Sequence, residues 1–134
     1  MVKRSTNQLI DQHATLVKAW IEDIAARDSL VDLPALIASI DRQDHELYFC
    51  YTQHQRLIGI ITLRQIGDTI ILDGAAGDVW GEWEVLDRSF VELCQERGCT
   101  SYEFRGRRGF LRTFKKYGMT EKYTVMSRAI DQWQ

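Results

Sequence analysis

Proline is nearly absent, with one in 134 residues, and no stretch approaches the roughly 20 consecutive apolar residues that a membrane helix needs. The segment MVKRSTNQLIDQHA also lacks the unbroken apolar run of a signal peptide, so the expectation is a cytoplasmic protein without a membrane segment. The three cysteines, Cys50, Cys94 and Cys99, form no CxxC pair and read as small buried thiols. His13, His45 and His54 stand far apart without metal-ligand spacing, so no metal is expected and they read as surface or capping residues. Neither charge sign dominates: 17 Lys plus Arg against 19 Asp plus Glu leaves a net charge of −2, and attraction to nucleic acid or anionic lipid would have to be local. The chain spells no GxSxG elbow, P-loop or HExxH, which weakens the common hydrolase and nucleotidase readings. Repeats, low-complexity tracts and linkers are missing too, so residues 1–134 read as a single domain, whose 45% hydrophobic residues suffice for one core.

What is present is clear periodicity. Apolar residues at helical spacing (Leu9, Ile10, Val17, Trp20, Ile21, Ile24) predict an amphipathic helix over Ser5 to Ala26. Asp32 as N-cap and Pro34 in the first turn open a second helix, which ends near Gln43. Three strands follow, Glu46 to Thr52, Leu57 to Gln65 and Thr69 to Ala75, joined by short turns into an antiparallel meander. A helix over Glu82 to Arg97 ending at Gly98, a strand over Thr100 to Phe104, a short helix over Arg108 to Tyr117 and a last strand over Glu121 to Ile130 complete the order ααβββαβαβ, an α/β (α+β) arrangement with a mixed sheet.

A helix between two strands implies a crossover, which makes the strands on either side of it parallel and puts a ligand site at their carboxyl ends. The connecting segment Leu72 to Gly81 is rich in small residues that let backbone N–H groups approach a phosphate. It reads equally as an ordinary glycine-containing loop in which Asp78 and Glu82 cap the helix. The basic run Arg105, Arg107, Arg108, Arg112, Lys115 and Lys116 starts at the end of the second parallel strand. CoA phosphates, a nucleic-acid backbone and a plain solvated face all suit it. Trp80 and Trp83 flank the loop; Trp83 reads as core, and an exposed Trp80 would mark a protein partner or self-association.

The succession strand, small-residue loop, long helix ending in Gly98, strand, then Gly109 to Met119 resembles the carboxyl-terminal half of a GNAT acyltransferase over about Arg56 to Ile130. The compact length and Arg-rich helix are also similar to small divergent GNAT-like proteins of phages and mobile elements. The resemblance implies an acyl-CoA-dependent N-acetyltransferase using acetyl-CoA, with an unassigned acceptor. It places the pantetheine arm on Leu72 to Ala76, with Gly74 within that stretch, and the pyrophosphate on Gly77 to Glu82, with Trp80 and Gly81 within that loop; Arg105, Arg107 and Arg108, by their place at the end of the second parallel strand, are candidates for further CoA-phosphate contacts. At the three places of the family's loop pattern, Arg or Gln, two residues, Gly, one residue, Gly or Ala, stand Asp78, Gly81 and Trp83, so a carboxylate and an indole replace a cationic or amide group and a small residue. The family's general-acid tyrosine corresponds to Phe114, which cannot donate a proton; Tyr117 is the nearby phenol. Asp73, Glu46 or a bound water could serve as general base, and Asp73 alone lies near the implied thioester position. Two other functions fit the departures: a non-catalytic interaction protein retaining the fold, and a small nucleic-acid-associated protein.

Overall fold

The computed structural model describes residues 1–27 and 32–104. The predicted helix over Arg108 to Tyr117 and the strand over Glu121 to Ile130 lie outside them.

Among the described residues, five strands form one sheet in the order β1 (Val2–Arg4), β2 (Glu46–Tyr51), β3 (Leu57–Ile66), β4 (Thr69–Gly77), β5 (Ser101–Phe104). The first three pairings are antiparallel, and β4 and β5 are parallel, with Thr69 opposite Ser101 and Leu72 opposite Phe104. The expected meander and crossover are therefore present. The edge strand β1 was not expected: Val2, Lys3 and Arg4 carry no readable alternation, and pairing with Cys50, Phe49 and Tyr48 of β2 holds them extended.

The single helix expected over Ser5 to Ala26 is two: α1 (Asn7–Gln12), capped by the Thr6 hydroxyl on the Leu9 N–H, and α2 (Ala14–Arg27). The break is at His13, with φ −119° and ψ 28°. Hydrogen bonds still run through it, from the His13 N–H to the Leu9 carbonyl and from the Val17 N–H to the His13 carbonyl. The His13 ring meets Phe49 edge-on, at 6.3 Å between centroids. Helix α3 (Leu33–Asp41) starts as expected, with Asp32 accepting from the Ala35 N–H and Pro34 in the first turn.

Alternation along the strands divides the core into two layers. Leu47, Phe49 and Tyr51 of β2 and Ile60 of β3 face Val17 and Ile24 of α2 and Leu36 of α3. Tyr48, Cys50, Ile61, Leu63, Ile70 and Leu72 face α4 (Trp83–Arg97), meeting Trp83, Leu86, Phe90 and Cys94. Cys50 and Cys94 are buried free thiols, and burial pushes the Cys50 thiol up to about 12. Gly98 ends α4 in the left-handed conformation at φ 67°, and the Cys99 N–H returns to the Cys94 carbonyl. No helix among the described residues is long and apolar enough to cross a membrane.

Candidate functional site

The pairing register of β4 defines the site. On the β3 side Thr62 faces Gly74 and Leu63 faces Leu72, so Asp73 is an extra residue, a bulge. On the other side β5 covers Thr69 to Leu72 only. From Asp73 to Gly77 the backbone edge facing away from β3 has no strand partner among the described residues. The open stretch therefore begins at Asp73, one residue after Leu72, which is fully buried in the core.

The side chains around the bulge form a polar cluster on the α2 and α3 side. Asp73 Oδ2 accepts from His45 Nε2 at 2.7 Å, and His45 Nδ1 lies 2.6 Å from Ser39 Oγ of α3. An ionised carboxylate only accepts, so Nε2 carries the proton and, in the neutral ring, Nδ1 takes the serine hydroxyl proton as acceptor. Arg64 of β3 places Nε 2.9 Å from the same Oδ2. This is an ion pair and not an aligned hydrogen bond, because Arg64 Nε is a buried atom without a hydrogen-bond partner among the described residues. His45 is thus no surface or capping residue: its ring is 21% exposed and bridges two elements. Nothing in the sequence pairs it with Asp73, 28 residues away.

Glu46, the other candidate base, is committed elsewhere. Arg97 at the end of α4 donates to both of its oxygens, at 2.8 and 2.5 Å, and to the Tyr48 hydroxyl at 3.0 Å. The Arg97 hydrogen bond holds the Glu46 carboxyl below its ordinary range, against the opposing effect of burial. A carboxylate so bound is a poor proton acceptor.

Past β4 the chain crosses close to β3. Gly77 has φ 90°, and a Cβ there would overlap the Ile58 carbonyl oxygen, which accepts from the Asp78 N–H at 2.8 Å. Gly74 packs against Ile24, and Ala76 is buried on the same layer. A single 3-10 turn over Trp80–Glu82 leads into α4. Gly81 faces open space, and no side chain caps α4: Glu82, at the cap position, makes no such bond, and neither does Asp78 among the described residues. The expected acidic capping is absent. Trp83 points inward at 1% exposure, its ring 5.9 Å from Phe104 and 6.1 Å from Phe90, so its bulk fills the core and does not stand on the loop.

The structure thus brings Leu72, Asp73, Gly74, Ala76, Gly77 and Gly81 onto one strand and its following turn, together with the backbone of Trp80. Arg105, Arg107, Arg108, Tyr117 and the rest of the run to Lys116 lie outside the described residues, as does the Trp80 side chain. No group of three or more His, Cys, Asp or Glu among the described residues could hold a metal ion.

No protein-family model and no curated protein matches the sequence. Solved structures do. A Pyrococcus furiosus protein assigned as an acetyl transferase superposes with a TM-score of 0.68 at 14% identity, over 97% of this chain and 99% of the other. The ribosomal-protein-alanine N-acetyltransferase of Brucella melitensis gives a TM-score of 0.62 at 12% identity, over 96% and 99%. A Clostridium acetobutylicum protein assigned as an acetyltransferase and solved with acetyl-CoA gives 0.59 at 11%, over 98% and 97%.

Proposed function

From the GNAT acetyltransferase fold of this chain we propose an acetyl-CoA-dependent N-acetyltransferase. One observation carries the reading: among the described residues the backbone edge of Asp73–Gly77 is free of a strand partner, beside a helix start that no described side chain caps. An extended amide-bearing arm can pair with such an edge as a strand would, and the N–H groups at the start of α4 suit a pyrophosphate. The residues present fit the group in those two respects. The missing Cβ at Gly81 leaves the loop approachable, and the inward turn of Trp83 removes its bulk from that side. Asp78, exposed at the loop, opposes an anion and weakens the fit without blocking it.

Acetyl-CoA supplies a thioester acyl group when bound. The chain's own part is to hold and orient. In this reading backbone N–H groups at the bulge polarise the acyl carbonyl, and Asp73, one residue from the last β5-paired position, receives the proton of the incoming amine. His45 keeps Asp73 turned toward the face where α2 and α3 pack. The non-catalytic and nucleic-acid readings draw no support from the described residues.

The decisive experiment is calorimetry with acetyl-CoA on the full chain, paired with thermal unfolding. Saturable heat is expected, and at a ligand concentration 100 times Kd a stabilisation of about 2.7 kcal/mol. Absence of both sinks the enzyme reading.

A further inference from the structure

The cluster at the β4 bulge is satisfied on one side only. His45 Nε2 and Arg64 Nε both approach Oδ2 of Asp73, while Oδ1 receives no hydrogen bond from a described residue. Arg64 makes no other contact of this kind among the described residues, although a guanidinium carries five N–H donors, and its side chain is 35% exposed. Its buried Nε edge lies against the carboxylate without hydrogen-bond alignment, and neither Nη atom bonds a described residue. A charged acceptor edge and a charged donor fork therefore stand next to each other on the same face.

Resting on the acetyltransferase reading, we propose that Arg64 anchors a carboxylate on the acceptor, so that the acceptor class is a primary amine with a carboxylate a short spacer away, as in a free amino acid. Charge balance favours this class. Arg64 and Asp73 cancel each other, and a simple anion meets Asp73 at close range while a simple polyamine meets Arg64. A zwitterion places its ammonium on Oδ1 and its carboxylate on the Nη fork, giving each charge a partner, and Arg recognises a carboxylate bidentately. His45, both of whose ring nitrogens are engaged, fixes the Asp73 carboxylate so that Oδ1 is the oxygen left to the ligand.

The test uses β-alanine as the zwitterionic probe, against propylamine and propionate as its two halves. Each is titrated into the full chain, with and without acetyl-CoA, and followed by amide NMR in wild type, Arg64→Gln, Arg64→Lys and Asp73→Asn. The expected result is that β-alanine perturbs the resonances around the bulge and binds at least about tenfold more tightly than either half. Arg64→Gln should lose about tenfold for β-alanine and nothing for propylamine, with Arg64→Lys intermediate. Equal binding of propylamine, an Arg64→Gln protein that binds β-alanine as wild type does, or no binding of any probe overturns the proposal. Retained propylamine binding by the Arg64 variants shows that they are folded, and Asp73→Asn should weaken propylamine and β-alanine while propionate binds at least as well as to wild type. Acetyl-CoA calorimetry on the same samples separates the two readings: β-alanine binding without acetyl-CoA binding retains the anchor and rejects the enzyme.

Discussion

Arg97 at the carboxyl end of α4 and Glu46 at the start of β2 are joined by two hydrogen bonds, at 2.8 and 2.5 Å, across 51 residues of sequence. The pair ties the helix covering one sheet face to the strand beside the polar cluster, since Glu46 directly follows His45. Its carboxylate is 11% and its guanidinium 23% exposed, so the interaction falls between a screened surface pair and a buried one. Removing the guanidinium with Arg97→Ala leaves the carboxylate half-stranded and should cost about 2 kcal/mol of unfolding free energy by urea titration. The pH dependence has a definite sign. The folded-state pKa of Glu46 is depressed, so its stabilisation is present above the ordinary carboxylate range, near about 4.3, and is lost as pH falls through the depressed value. Glu46→Gln should therefore flatten the stability profile below about pH 5. An unchanged acid limb would show that the pair contributes nothing to acid stability.

Thr62 invites a substitution in the opposite direction. The residue is 1% exposed, and its hydroxyl, beside Gly74, lacks a hydrogen-bond partner among the described residues. A buried polar atom left unpaired costs free energy that an apolar group of the same shape does not. Thr62→Val should raise stability by about 1 kcal/mol, read as a Tm gain of about 2–4 °C. A loss of similar size would mean that the hydroxyl is satisfied in solution.

Local elements were legible because their causes are local. The apolar stripe Leu86, Phe90 and Cys94, with Gly98 free to adopt a positive φ, is enough to write α4 and its end. Asp32 and Pro34 likewise write the start of α3. The parallel pairing of β4 with β5 followed from the helix between them. The edge strand Val2–Arg4 was hidden because three residues show no period, and only β2 makes them a strand. The bulge at Asp73 was hidden because it is a mismatch between β3 and β4, a property of neither alone. The Ser39, His45, Asp73 and Arg64 cluster was hidden for the same reason: its members come from four places in the chain and meet only after the sheet has formed. The inward turn of Trp83 follows from the helix phase, which sets it three residues before Leu86 on the buried stripe.

The passage from β4 into the loop depends on two glycines at close backbone contact. A Cβ on Gly77 would overlap the Ile58 carbonyl and come within 2.6 Å of Gly59 Cα, at a φ of 90° that side chains avoid. A Cβ on Gly59 would overlap the Ala76 carbonyl and lie 2.6 Å from Val79 Cγ1. Gly77→Ala and Gly59→Ala should each destabilise by about 3 kcal/mol. Gly81→Ala, with nothing within 4 Å of the added methyl, should stay within about 0.5 kcal/mol while weakening acetyl-CoA at the proposed pyrophosphate loop. A Gly81→Ala protein of normal stability and undiminished acetyl-CoA affinity would remove this loop from the cofactor site.

The last prediction concerns His45, which acts on the reaction only through Asp73. Its ring spans Ser39 Oγ at 2.6 Å and Asp73 Oδ2 at 2.7 Å, and Arg64 also lies on Oδ2. His45→Ala leaves Ser39 and Asp73 each without their imidazole partner in a part-buried place, and should cost about 1–2 kcal/mol of stability. Its effect on turnover should be distinct in kind from that of losing the base. Asp73→Asn removes the proton acceptor and should lower kcat with an accepted amine by about 10²-fold or more at unchanged acetyl-CoA affinity. His45→Gln, which can still donate to Oδ2, should retain most of the activity, whereas His45→Ala frees the carboxylate to rotate and should raise the acceptor KM more than it lowers kcat. Steady-state kinetics with acetyl-CoA fixed at saturation reads the split. If His45→Ala and Asp73→Asn lower kcat equally and His45→Gln rescues neither parameter, the histidine is itself a proton carrier, and its assignment as a positioning residue is wrong.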